Sequence, residues 1–111
     1  MTRITDEYMQ DMLTKTKEYT FVMLKPGPNA ASENVRSIIW EHARRNFSLR
    51  ADGILSIVGP ITIEATVSGI YIFNANPEEI PAIMDEDPAV KAGIFFYEIY
   101  PCRSFPGDHL G

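Results

Sequence analysis

One hundred and eleven residues, 45% hydrophobic and 23% charged, make a chain long enough to bury one core, too short for two, and far from the composition of a disordered protein. Ten Lys and Arg against fifteen Asp and Glu leave a net charge of −5. Arg44, Arg45 and Arg50 come nearest to a basic patch but sit beside acids, so nucleic acid is not an expected partner. The single cysteine, Cys102, excludes an intrachain disulfide and argues against a thiolate metal cluster, which suits a reducing compartment. "MTRITDEYMQDML" has no signal-peptide core, and no run approaches the ~18 apolar residues of a membrane span. The expectation is a cytoplasmic protein with no membrane partner.

In chain order, residues 5 to 16 begin with Thr5, Asp6 and Glu7, which suit a helix N-terminus, and end in lysines, which suit its C-terminal dipole. Tyr8, Met9, Met12 and Leu13 make one apolar stripe. A helix this short needs a surface, either its own domain or a partner subunit. "EYTFVMLKPGPN" is rich in β-branched and aromatic residues and stops at Pro26-Gly27-Pro28, which predicts a first strand over 18–25. Ser32 and Glu33 offer a cap for a long helix over 33–51, and Gly53 stands where a left-handed C-cap residue is wanted. "ILSIVGPITI" is a second strand, broken or bulged at Gly59-Pro60. "SGIYIFNA" (68–75) is a third, close enough across "EATV" to form a hairpin with it. Asn76-Pro77-Glu78-Glu79 reads as a capping box for a second helix carrying Ile80, Ile83 and Met84, stopped at Asp87-Pro88. "GIFFYEIY" (93–100) is the fourth strand, and "PCRSFPGDHLG" is expected to be irregular.

Leaving aside the leading helix, the order β, α, β, β, α, β predicts an α+β, ferredoxin-like subunit with a four-stranded antiparallel sheet. The expected organisation is an N-terminal helical extension (1–17), one domain (18–103) and a tail (104–111). In the first strand Phe21 and Met23 point one way, Val22 and Leu24 the other, so both sheet faces are apolar. Two helices cover only one face. A homodimer buries the second most economically.

The long helix raises a question. Val35, Ile38, Ile39, His42, Asn46 and Leu49 follow at spacings of three and four, so the stripe facing the sheet is apolar, turns polar at His42 and Asn46, then is apolar again. An unpaired buried imidazole costs roughly 1 to 3 kcal/mol. His42 is therefore either a core residue bonded to a backbone carbonyl or a general base at the mouth of a pocket, since an ordinary imidazole titrates near pH 6.5. Trp40, Ala43 and Phe47 form a neighbouring stripe suited to packing against the N-terminal helix or a partner subunit. Arg36, Arg44 and Arg45 suit a solvated face more than an anion site, and His109 lies in the tail.

His42, then Gly59-Pro60 seventeen residues on, then "SGIYIFNANPEEIPAIMDEDPAVKAGIFFYEIYP" resemble the YCII-related family of small dimeric α/β-barrel proteins over about residues 18 to 103. Asp87-Pro88, Val90 and Ala92-Gly93 match the family pattern before its last strand. The resemblance implies a subunit whose sheet packs on its twin's, and an active site built on His42 and Asp87. One branch resembling this domain contains dehydrochlorinases of chlorinated hydroxyquinols, and muconolactone isomerases share the barrel plan. The chain departs from the pattern in its short "ITIEATVSG" segment, which offers only Glu64, and in its N-terminal helix. Asp87 has an alternative role as the turn residue that caps "PAVKAG".

Two functions follow as expectations. The first is a lyase- or isomerase-type enzyme acting on a small phenolic, quinol or lactone-like molecule. His42 would act as base, Asp87 would orient it, and Arg45, Asn46 and Tyr71 would hold substrate. No Gly-rich phosphate loop and no metal-ligand spacing is present, so no cofactor or metal is expected. The second is a non-catalytic binding or accessory dimer using the same pocket.

Overall fold

Alternation in the first strand decides how the layers stack. In the computed structural model, which describes all 111 residues, strand β1 (Lys17–Pro26) buries Thr20, Val22 and Leu24 on one side and leaves Phe21 and Met23 half-covered on the other. Three further strands flank it: β2 (Leu55–Pro60), β3 (Gly69–Phe73) and β4 (Phe95–Ser104), in the order β2-β3-β1-β4 with every pair antiparallel. This is the strand order of the split βαβ plan. Register sets Val22 opposite Tyr71 and Ile99, and Leu24 opposite Gly69 and Tyr97. Those residues share the covered face, where Leu55, Phe73, Ile80 and Met84 complete the core.

Helix α2 (Val35–Ala51) lies on this face, and beyond it a broken second helical segment consists of a 3-10 turn (Pro77–Glu79), α3 (Ile80–Met84) and α4 (Pro88–Lys91). The break falls at Asp87-Pro88 as the proline requires. α1 (Asp6–Leu13) is capped by Thr5, whose hydroxyl accepts from the Tyr8 N–H at 3.1 Å. Gly53 follows α2 with φ +76°, the left-handed stop that the sequence suggests.

Several boundaries differ from the sequence expectation. α2 starts at Val35 after Asn34, and no side chain caps it. Asn76 makes no side-chain bond to helix backbone and instead donates to Glu79 Oε1 at 3.3 Å. The bulge in β2 lies between Leu55 and Ile57, and Gly59-Pro60 stays in register with Ile70 and Gly69. Pro60 closes the strand. β4 continues through Pro101 to Ser104, beyond the expected end at 100, because it is an edge strand and a proline there forfeits no interior ladder bond. Residues 101–104 are thus strand and not irregular tail.

Two glycines bring the end of β1 against the start of β4. Gly27 N–H donates to the Ile94 carbonyl at 2.7 Å and Asn29 N–H to the Gly93 carbonyl at 2.8 Å. A methyl group on Gly27 would collide with the Gly93 carbonyl oxygen, and Gly93 itself holds φ +72°. Backbones meet this closely only where one partner lacks a Cβ. The crossing ties α4 and the first residues of β4 to the rest of the sheet.

The opposite sheet face carries Phe21, Met23, Ile57, Ile70, Ile72, Phe96 and Tyr100, all partly or fully exposed, with a Lys25–Glu98 ion pair among them. No helix of the chain covers it.

Candidate active site

α2 has one buried residue, and it is His42. The helix places the ring over the sheet, where it leans on Phe95 with centroids 5.3 Å apart. Its Nδ1 lies 2.7 Å from Asp87 Oδ2. A carboxylate can only accept, so Nδ1 carries a proton, and in the neutral ring the lone pair is then at Nε2.

Asp87 is 1% exposed; it is the turn residue that caps the following helix and it also meets His42. Its Oδ1 accepts from the Ala89 N–H at 2.8 Å and the Val90 N–H at 3.4 Å, which caps α4, while its Oδ2 holds the histidine. Pro88 needs no partner at the first helical position, so the short turn presents its two free N–H groups to one carboxylate oxygen. The turn fixes Asp87, and Asp87 fixes the imidazole tautomer.

The other side of the ring is held loosely. Tyr71 Oη stands 3.3 Å from Nε2, and Asn46 Nδ2 stands 3.4 Å from Nε2 and 3.3 Å from the Tyr71 oxygen. These are long hydrogen bonds, in contrast to the short Asp87 contact. Asn46 reaches the site because it sits one helical turn after His42. Tyr71 comes from the central strand β3. Burial pushes its hydroxyl pKa well above the ordinary phenol value, and the Asn46 hydrogen bond only partly opposes this. Tyr71 therefore remains a proton donor throughout the physiological range.

Nε2 faces a cavity of about 340 Å³ between α2 and the sheet. Leu24, Ile39, Val58, Pro60 and Phe95 supply most of its apolar wall, Phe47 stands on its outer side, and Ser68 joins His42, Asn46 and Tyr71 as a polar group. Four of the five residues singled out from sequence thus meet in space: His42, Asp87, Asn46 and Tyr71. Arg45 does not line the cavity. It is half-buried on the adjacent face of α2, with Nη1 enclosed and without a hydrogen-bond partner. Phe95 and Ser68 were not singled out. Alternation along β4 sets Phe95 on the covered face with Tyr97, which was a legible signal, whereas Ser68 precedes a strand and carried none.

The chain is thus an antiparallel α+β subunit with one buried, acid-paired histidine beside an apolar cavity beneath its first long helix. The model of the YCII-related domain matches residues 19–105. The chain belongs to that family, and the match includes His42, Asn46, Tyr71 and Asp87 while leaving α1 outside. No curated protein matches the chain.

Proposed function

We propose that the protein is a small-molecule enzyme that moves a proton at His42 Nε2. The observation that supports this reading most directly is the asymmetry of the imidazole: one nitrogen is locked by a buried carboxylate, the other is loosely contacted and open to an apolar cavity. Removing a proton from an acidic C–H or O–H of a bound ligand needs a lone pair at that position. It also needs a negative charge behind the ring to stabilise the imidazolium formed, which Asp87 supplies. Tyr71 and Asn46 then donate to the oxygen on which negative charge develops. The Tyr71 hydroxyl is free to rotate from Nε2 to that oxygen when a ligand enters.

The cavity wall offers no cation, so the reading favours an uncharged or weakly acidic ligand, of the phenolic, quinol or lactone-like kind, over a carboxylate. Lyase and isomerase chemistry, dehydrochlorination included, both begin with such a proton transfer. The proposed mechanism calls on no cofactor or metal. In a thermal-shift screen of wild type and His42→Gln against phenols, quinols, lactones and small carboxylates, a ligand of this site at a hundredfold excess over Kd should stabilise wild type by about 2.7 kcal/mol, read as a rise in Tm, and leave the variant unmoved. If every compound that stabilises wild type stabilises His42→Gln equally, the histidine is not at the binding site. Binding without turnover by any such ligand would favour the non-catalytic reading.

We further propose that the open sheet face packs against the same face of a second copy. Its support is the size of the apolar surface on β1, β3 and β4 that no helix covers. Ile70→Glu, which points into that face, is expected to convert a dimer to a monomer in sedimentation equilibrium. An unchanged mass would remove the sheet-face dimer.

A further inference from the structure

We propose that helix α1 of one copy docks on the outer face of α2 in a second copy and closes the outer wall of the His42 cavity. This contact is separate from the sheet-face dimer and does not depend on His42 being catalytic.

α1 is a two-turn helix with no buried residue, and Tyr8, Met9 and Leu13 are 51%, 49% and 59% exposed. A helix so short is not self-supporting in water. Tyr8, Met9, Met12 and Leu13 occupy one side of it, bordered by Asp6 near Leu13 and by Glu7 and Asp11 near Tyr8. The molecule as a whole is elongated, 56 Å by 29 by 22 Å.

α2 presents the complementary surface. Arg36, Trp40, Arg44, Phe47 and Arg50 follow one another at helical spacing on its outer side, so cations and aromatic rings alternate along one stripe. Trp40 and Phe47 are 67% and 62% exposed, and a concavity of about 230 Å³ lies between them and Ala43. The Arg50 guanidinium stands 5.5 Å from the Phe47 ring centre. Arg36 and Arg50 make no salt bridge within the chain, whereas Arg44 pairs with Glu41 on its own helix and Asp11 of α1 pairs with Lys15. The chain thus carries an apolar stripe with Asp6 and Glu7 free at its borders and an aromatic stripe with Arg36 and Arg50 free of salt bridges at its two ends, and the apolar parts of both are exposed.

The occupant is a second copy because the connection is too short for the chain's own α1. Residues 14 to 16 join α1 to β1, and three residues reach at most about 10 Å. To lie on the outer stripe of its own domain, α1 would have to clear the sheet-to-helix layer and the ~10 Å thickness of α2. A second copy has no such tether. The consequence for the site follows from Phe47 and Ala43, which line both the outer concavity and the His42 cavity. A helix seated on Phe47 pins the cavity's outer wall.

Trp40 is the only tryptophan in the chain, so its fluorescence reports docking directly. Acrylamide should quench wild-type Trp40 several-fold less than Trp40 in the full-length Met9→Glu/Leu13→Glu variant, whose substitutions fall at exposed positions and leave the core intact. The variant's emission should also be red-shifted. Co-refolding that variant with an excess of a Trp40→Phe chain, which is dark but has an intact α1, should restore shielding in trans. Equal quenching of wild type and the double variant overturns the proposal, because nothing then covers Trp40. Shielding in wild type that the Trp40→Phe chain fails to restore also overturns it, because α1 would then dock on its own domain. Neither result depends on ligand binding or on Ile70, so a failure here is distinguishable from a failure of the proposed activity or of the sheet-face dimer.

Discussion

An Asp87→Asn protein is expected to fold and to carry the His42 proton on the wrong nitrogen. In the native site Asp87 Oδ1 accepts from two backbone N–H groups of α4 and Oδ2 accepts from His42 Nδ1. An asparagine has one oxygen for these two tasks. Keeping it on the backbone preserves a cap worth about 1 kcal/mol and aims the amide NH₂ at Nδ1. The ring must then accept at Nδ1 and move its proton to Nε2, where it points at the Tyr71 oxygen. The lone pair facing the cavity is gone. Turnover of any substrate that needs a base at Nε2 should fall by roughly 10² to 10⁴, while stability changes by only about 1 to 2 kcal/mol. Long-range ¹H–¹⁵N correlation spectra of the imidazole would read the tautomer in each protein without knowledge of the substrate. Finding Nδ1 protonated in both would show that the amide surrenders the α4 cap instead, and the proposed division of labour between the two carboxylate oxygens would be wrong.

That division explains why Asp87 was ambiguous in the sequence. An Asp before a Pro at a helix end is a sufficient turn residue, and nothing local distinguishes one whose second oxygen is spoken for 45 positions earlier in the chain. His42 was legible for the opposite reason. It interrupts an apolar stripe of known period, so its cost is visible before any partner is known. Asn46 followed from helical spacing alone. Register sets Tyr71 opposite Val22, whose side is covered by helices. The order of elements and the stop signals at Gly53 and Asp87-Pro88 were strong local rules and hold in the structure.

Other cap and breaker residue types do not act as such in the fold. Asn76 and Ser32 are good cap types that use no backbone donor here, because helix starts are also set by where packing begins. Gly59 and Pro101 lie inside strands, and Pro60 is the last residue of one. Both strands are at sheet edges, where a missing N–H costs little, and edge position is a property of the whole sheet. Arg45 was read through its charge, while its placement depends on the rotation of α2, which the stripe through His42 fixes only to within a side chain's reach.

His42→Leu should be the most destabilising conservative substitution in the site, by about 3 kcal/mol or roughly 10 to 20 °C in Tm. Leucine suits the helix and restores its apolar stripe, so propensity and patterning both favour the change. The loss comes from Asp87, whose Oδ2 is left without a donor at a position 1% exposed. Adding Asp87→Ser to that background keeps a cap for α4 and removes the orphaned oxygen, so the double variant should be more stable than His42→Leu alone. Urea denaturation of the two proteins and wild type measures both steps. A His42→Leu protein at least as stable as wild type would mean that the polar cluster holds nothing together. That outcome would count against a structural role for the network and leave function as the reason for a buried histidine, since polar groups kept at a cost to stability are those a site requires. The predicted loss followed by recovery has a different meaning. The same contacts that position the imidazole then also tie α2 to α4, so the site and this part of the core are one network.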